Sequence, residues 1–274
     1  MAATAPSRLA PLSGNPLSRA ELRKKMGSGP LYQFLDFYST DKVHFFDDFL
    51  GDTINLDNYA VANGGGAGAG TFAINVQSGG VIRATTGTAN DATASASLLM
   101  PLNWYGDKNC GMEVRWKLET SVAAYKLEIG FVDAVTTAVG PPLAACVTDE
   151  DTPTAVGADF AVMSIDTSET FTTPGFYTDG STTGQGIKRT SGAGIPGLTN
   201  GVTPVISTYI TTRVQLVGNS AYCWVNGKLI ASHDDDPEGN VEGGVALTPW
   251  IYLQANSGVS KSLDVDFIRV WQDR

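Results

Sequence analysis

Few side chains in this 274-residue sequence are spaced to do chemistry, and carboxylates are the only ones with local density. "TDEDT" (148–152) and "HDDDPEGN" (233–240) are oxygen-rich stretches of the kind that bind Ca2+, but neither has EF-hand spacing, and both read equally well as solvated turns. "SIDTSE" (164–169) places Asp166 and Glu169 near each other at a strand end. His44 and His233 are far apart with no H-E-x-x-H, which excludes a zinc hydrolase of that type. There is no G-x-S-x-G and no G-x-x-x-x-G-K-[ST], and "NGGGAGAG" (63–70) neither fits G-x-G-x-x-G nor leads into a helix. Cys110, Cys146 and Cys223 are odd in number without paired spacing, which predicts inert thiols in a reducing compartment. Trp104, Tyr105, Phe176, Tyr177 and Trp250 fall near strand ends or loops, where rings either stack on sugars or anchor the core. The expected catalytic set is therefore empty.

The elements that would position these residues are strands. "MEVRWKLE" (112–119) alternates apolar with charged residues, as does "YKLEIGF" (125–131), and period two predicts strands with one core face and one wet face. "YITTRVQLV", "AYCWV" and "KLIAS" follow as a three-strand meander, the last turn being Asn226-Gly227, a type I′ hairpin signal. Tyr222, Trp224 and Leu229 share one face, taken here as the inner one. No long amphipathic helix pattern is present, so the body from residue 43 to 274 is expected to be one all-β domain, a two-sheet antiparallel jelly-roll sandwich with first and last strands adjacent. The Gly/Ser/Thr-rich stretch 173–204 reads as a long loop.

Charge is divided unequally. Residues 1–30 carry +4 from Arg8, Arg19, Arg23, Lys24, Lys25 and Glu21, so the net −10 leaves −14 on the other 244 residues. Residues 1–42 read as an extended basic arm, interrupted by Pro6, Pro11, Pro16 and Pro30, with a short helix at 19–26 behind the S-x-x-E box of Ser18 and Glu21. Leu22, Leu31 and Phe34 are among its apolar anchors. Such an arm either ties neighbouring subunits together or is a solvated tail. The acidic body argues against duplex DNA, leaving residues 1–30 as the only segment suited to nucleic acid. The start lacks the apolar core of an export signal, and no stretch reaches the roughly 20 apolar residues of a membrane helix, so a protein made in the cytoplasm without a membrane partner is expected.

Two segments carry a family resemblance. "FFDDFLGDTINLDNY" (45–59) resembles the opening strand of concanavalin A-like lectin/glucanase domains, and "LDVDFIRVWQ" (263–272) resembles their last strand. "YCWVNGKLIA" is similar to a hairpin of the laminin G-like members. The resemblance implies the sandwich over residues 45–274. In the glucanase branch it implies a Glu-ϕ-Asp-x-x-Glu stretch, to which "SIDTSE" comes nearest, with Ser164 standing where the nucleophilic glutamate belongs. It also implies a structural Ca2+ at the position of Asp266, against an ordinary ion pair there. Three functions follow as expectations. The first is a non-enzymatic structural protein of a tailed-phage virion, such as a capsid decoration protein, joined to copies of itself and other virion proteins through the arm. The second is a carbohydrate-binding module for surface glycans. The third and weakest is a glycoside hydrolase, since serine offers no charge to trap an oxocarbenium ion.

Overall fold

Alternating side chains dictate sheets, and the computed structural model consists of them. It describes residues 42–63, 70–75, 79–89, 94–101, 103–133, 159–168, 174–180, 188–190, 203–218, 220–233, 241 and 243–274. Outside these lie the arm with Arg8, Arg19, Leu22, Arg23, Lys24, Lys25, Leu31 and Phe34, together with Cys146, "TDEDT", Glu169 and all of "HDDDPEGN" after His233. Sixteen strands run through the described residues: β1 Lys42–Asp47, β2 Ala60–Asn63, β3 Thr71–Ile74, β4 Ile82–Thr85, β5 Ser95–Leu99, β6 Trp104–Tyr105, β7 Gly111–Leu118, β8 Tyr125–Val132, β9 Asp159–Asp166, β10 Gly175–Gly180, β11 Lys188–Thr190, β12 Ile210–Val217, β13 Ser220–Val225, β14 Lys228–His233, β15 Ala246–Ala255 and β16 Ser262–Asp273. The stretch 173–204 is thus not a single loop. Phe176, Tyr177 and Thr178 pair with β9, and β11 adds an edge beyond them.

The strands form two antiparallel sheets. The first runs β14-β13-β12-β7-β16-β4-β3, with β1 also paired to β16, so the opening and closing strands are neighbours as expected. The second runs β11-β10-β9-β8-β15-β5-β2, with β6 also on β15. The fold is an all-β jelly-roll sandwich. Its main core lies between the sheets and includes Met112, Val114, Trp116 and Leu118 from β7, Leu127, Ile129 and Phe131 from β8, and Ile251 and Leu253 from β15. One polar contact is built into it, Trp116 Nε1 donating to Thr212 Oγ1 at 2.9 Å.

The Asn226-Gly227 turn forms as its residues require, with φ of 49° and 75°. Its flanking strands turn the opposite way from the expectation. Ala221, Cys223 and Val225 are buried, whereas Tyr222, Trp224 and Leu229 are only partly covered. Register explains this reversal. Trp224 is paired with Arg213 and Cys223 with Val214, so the strand whose polarity is unambiguous fixes the orientation of the one whose polarity is not.

The sheets also differ in how many faces they bury. β7 and β12 alternate buried with half-exposed residues, whereas all eight residues of β8 and all eight of β9 are buried. "YKLEIGF" therefore has no wet face. Lys126 and Glu128, expected in solvent, are 2% and 0% exposed.

Candidate functional site

The second face of the second sheet, pointing away from the main core, is where the nearest match to a catalytic motif falls. Ser164 and Asp166 alternate on β9 with the core residues Met163 and Ile165, so both project to this face. Cross-strand register arranges the face in rows. One row is apolar: Leu99, Trp250, Gly130, Val162 and Tyr177. The next is polar: Ser97, Tyr252, Glu128, Ser164 and Gly175. The third is ionic: Ser95, Gln254, Lys126 and Asp166.

The apolar row belongs to a second hydrophobic cluster of Leu99, Val132, Phe160, Val162, Tyr177, Trp250 and Tyr252. Trp250 and Tyr252 meet edge to face with ring centres 5.4 Å apart. Tyr177 folds back along its own strand, so that a Cβ at Gly175 would come within 2.8 Å of its ring. The ring therefore occupies the space beside Ser164 that a larger residue at position 175 would take.

In the ionic row Asp166 is fully engaged. Its Oδ2 meets Lys126 Nζ at 3.1 Å. Its Oδ1 accepts from Ser168 Oγ at 2.6 Å, Ser168 N at 3.0 Å and Asn256 Nδ2 at 2.9 Å. The network continues outward, with Tyr252 OH donating to Gln254 Oε1 at 2.6 Å and Gln254 Nε2 donating to Asn256 Oδ1 at 2.7 Å. Both oxygens of this carboxylate are thus engaged by groups of the protein itself. Ser164 has no charge to offer an electrophilic sugar carbon. Glu128 lies directly across from Ser164 and was missed in the sequence, where strict alternation with Leu127 and Ile129 marked it as a surface residue. The polar row thus holds one buried glutamate facing a serine.

The remaining candidates are dispersed. Trp104, Phe176, Tyr177 and Trp250 are buried, and Tyr105 is half-buried. Trp104 and Phe176 face the main core, Phe176 lying against the His233 ring at 5.1 Å, while Tyr177 and Trp250 face the second cluster. Four of the five rings therefore have no open face for a sugar. Asp266 lies on β16, where its Oδ2 accepts from Arg115 Nη1 at 2.6 Å. A guanidinium so close neutralises the charge a cation would need. Among the described residues no group of three or more His, Cys, Asp or Glu side chains is placed to hold a metal ion. These donors do not fit a Ca2+ at Asp266. His233 itself is buried, with its Nδ1 2.7 Å from Thr178 Oγ1, a contact between the two sheets. Burial pushes the Cys110 and Cys223 thiols well above the ordinary range, as expected for inert sulfur.

Comparison with solved structures places this geometry. A β-1,3-glucanase from Mycobacterium marinum superposes with a TM-score of 0.54 at 15% identity, covering 83% of this chain and 97% of that one. The Bacillus licheniformis β-glucanase gives 0.52 at 15% identity, covering 84% and 98%. A protein of unknown function from Shewanella oneidensis, SO2946, gives 0.51 at 12% identity, covering 89% and 94%. The chain has the glucanase jelly-roll fold. At such identities the likeness is one of fold alone. No protein-family model and no curated protein matches the sequence.

Proposed function

We propose that the chain is a non-catalytic structural protein of a tailed-phage particle, a rigid sandwich held in place through its N-terminal arm. The observation that carries the reading is the second face of the second sheet. Where a glucanase needs an open cleft with two carboxylates, this face buries Ser164, Glu128 and an Asp166 already engaged by Lys126, beside a sealed aromatic cluster. A sheet buried on both faces is built for rigidity rather than for passage of a polysaccharide. The basic arm ahead of an acidic body supports the particle role, since each neighbouring copy would present acidic surface to it.

Two measurements test this reading. Purified protein incubated with β-glucans should release no reducing sugar, and Glu169→Gln should leave that result unchanged. Deleting residues 2–40 should leave a folded sandwich that no longer enters particles, and salt should weaken incorporation of the full-length chain. Sugar release that vanishes in Glu169→Gln would overturn the first half, and full incorporation of the truncated chain would overturn the second.

Carbohydrate binding without catalysis is the second reading. It is favoured by the fold shared with glucanases, although the buried rings give it no open platform on the second sheet. Glycan-array binding abolished by Tyr105→Ala would support it.

A further inference from the structure

The chain that leaves β1 displays apolar side chains that the sandwich core does not use. Phe46 on β1 is 50% exposed, and Leu50 and Leu56 in the loop that follows are 68% and 72% exposed. Their display is built into the backbone. Phe49 has a φ of 54°, a conformation that bulky side chains rarely take, yet its ring is buried against Tyr59 with centres 6.0 Å apart. Asp47 fixes the step, its Oδ1 accepting from Phe49 N at 2.8 Å and its Oδ2 from Tyr59 OH at 3.1 Å. Gly80 lets the neighbouring turn close in, since a Cβ there would come within 2.1 Å of the Asp48 carbonyl oxygen. Phe49 is thus held in the core while Leu50 beside it stays in solvent. A strained, anchored loop that keeps leucines outside loses nothing further to ordering when a partner covers them.

The charges around these leucines are of one sign. Residues 46–57 contain Asp47, Asp48, Asp52 and Asp57 with no lysine or arginine. Asp52 and Asp57 are exposed and Asp48 is half-buried, and none of the three forms an ion pair among the described residues. The same surface of a second copy would set aspartates against aspartates, which selects against a two-fold contact. The occupant has to bring cations and apolar side chains together. Residues 17–26, "LSRAELRKKM", do so, with Leu17, Leu22 and Met26 among Arg19, Arg23, Lys24 and Lys25. Leu50 and Leu56 are exposed in the single chain, so the segment that covers them comes from another copy. The 15 residues between Met26 and Lys42 give it reach, since they span on the order of 50 Å when extended.

We propose that residues 17–26 of one copy dock on the acidic, leucine-bearing 46–57 segment of another, a contact that rests on the reading of the chain as a structural protein tethered by its arm. Each sandwich then gives one arm and receives one, a head-to-tail contact that closes into rings or extends as arrays.

The test uses full-length protein in a Cys146→Ser background, where Cys110 and Cys223 are buried. Thr53→Cys protein is mixed with Ala20→Cys protein under mild oxidation, and light scattering after size exclusion follows self-association of the parent chain. A disulfide joining the two variants is expected in excess over either homodimer, with association that rises with concentration. Leu50→Ser/Leu56→Ser should weaken that association about tenfold or more, and its exposed positions should leave the circular dichroism spectrum unchanged. Asp52→Lys/Asp57→Lys should weaken it as well, and adding Lys24→Glu/Lys25→Glu to the same chain should restore it, a rescue that mere damage to the loop would not allow. A parent chain that stays monomeric overturns the proposal, as does a Thr53→Cys homodimer without the mixed product. Loop variants that associate like the parent, or a charge swap that restores nothing, overturn it equally. If Leu50→Ser/Leu56→Ser protein enters particles as well as the parent does, this contact falls and the particle role stands. If the cross-link forms but the chain enters no particle, the role falls and the contact stands.

Discussion

Trp116 and Trp224 have the same side chain on different faces of one sheet, and they separate packing from surface chemistry. Trp116 is fully buried in the main core with its indole N–H donating to Thr212. Trp224 lies on the outer face under Arg213 and beside Tyr222. Trp116→Ala should therefore cost about 3–5 kcal/mol through lost contacts and a cavity. Trp224→Ala should cost about 1–2 kcal/mol, the scale of one aromatic pair with one exposed cation–π contact. Urea unfolding of both variants checks the order, and equal losses would show that Trp224 supports the fold as much as the core does. In "AYCWV" both alternating sets are apolar, so hydrophobicity alone leaves the facing open. The arginine opposite Trp224 resolves it once the register is known. The thiols offer a second check at this scale. A raised pKa means less thiolate, so Cys146→Ser protein should take no iodoacetamide at mildly alkaline pH until it is unfolded. Rapid labelling of the folded variant would place Cys110 or Cys223 at the surface.

Among the elements, β7 and β12 were legible because a strand with one wet face writes its orientation into every second residue. β8 was misread for the opposite reason: "YKLEIGF" alternates just as clearly, yet its charged set is buried. Alternation reports a difference between two faces and does not report that one of them is in water. Lys126 survives burial because Asp166 lies opposite it across β8 and β9, both nearly inaccessible. Breaking the pair from one side should be severe, with Lys126→Met costing about 3–5 kcal/mol by leaving Asp166 buried against an apolar neighbour. Lys126→Met/Asp166→Leu should recover much of that loss, because two apolar side chains of similar size remove both desolvation penalties. Chemical denaturation of the two singles and the double gives the coupling, and additive losses would mean that the ion pair contributes nothing specific. Gly175 and Phe176 were hidden for another reason: flanked by "TTP" and by "TDGSTTGQG", the strand has a loop's composition and pairs through register with β9 rather than through its own pattern.

At the scale of the whole molecule, the sandwich and the adjacency of β1 and β16 could be read from residues 43–274, since both depend on apolar periodicity and on turn chemistry. The candidate site could not, because it is defined by contacts between strands far apart in sequence, such as Glu128 with Ser164 and Asn256 with Asp166. The asymmetry between the sheets is the property that emerges only here. The first sheet has one dry face and one outer face of arginines, carboxylates and aromatic rings. The second has a core on each side. Opening a strand of the second sheet must therefore expose two apolar surfaces, and local opening free energy rises with the apolar area exposed. Native-state hydrogen exchange should find the slowest amides in 125–132, 159–166 and 246–255, at the limit set by global unfolding. Amides of 210–217 and 220–225 should exchange sooner through partial opening of the β12-β13-β14 meander. Mass spectrometry of peptic fragments resolves these segments, and equal protection throughout would mean that the two sheets open only together. Slower exchange in the meander than in β8, β9 and β15 would be harder to reconcile with this account. It would mean that the double burial of the second sheet adds no local stability, and would remove the rigidity on which the scaffold reading relies.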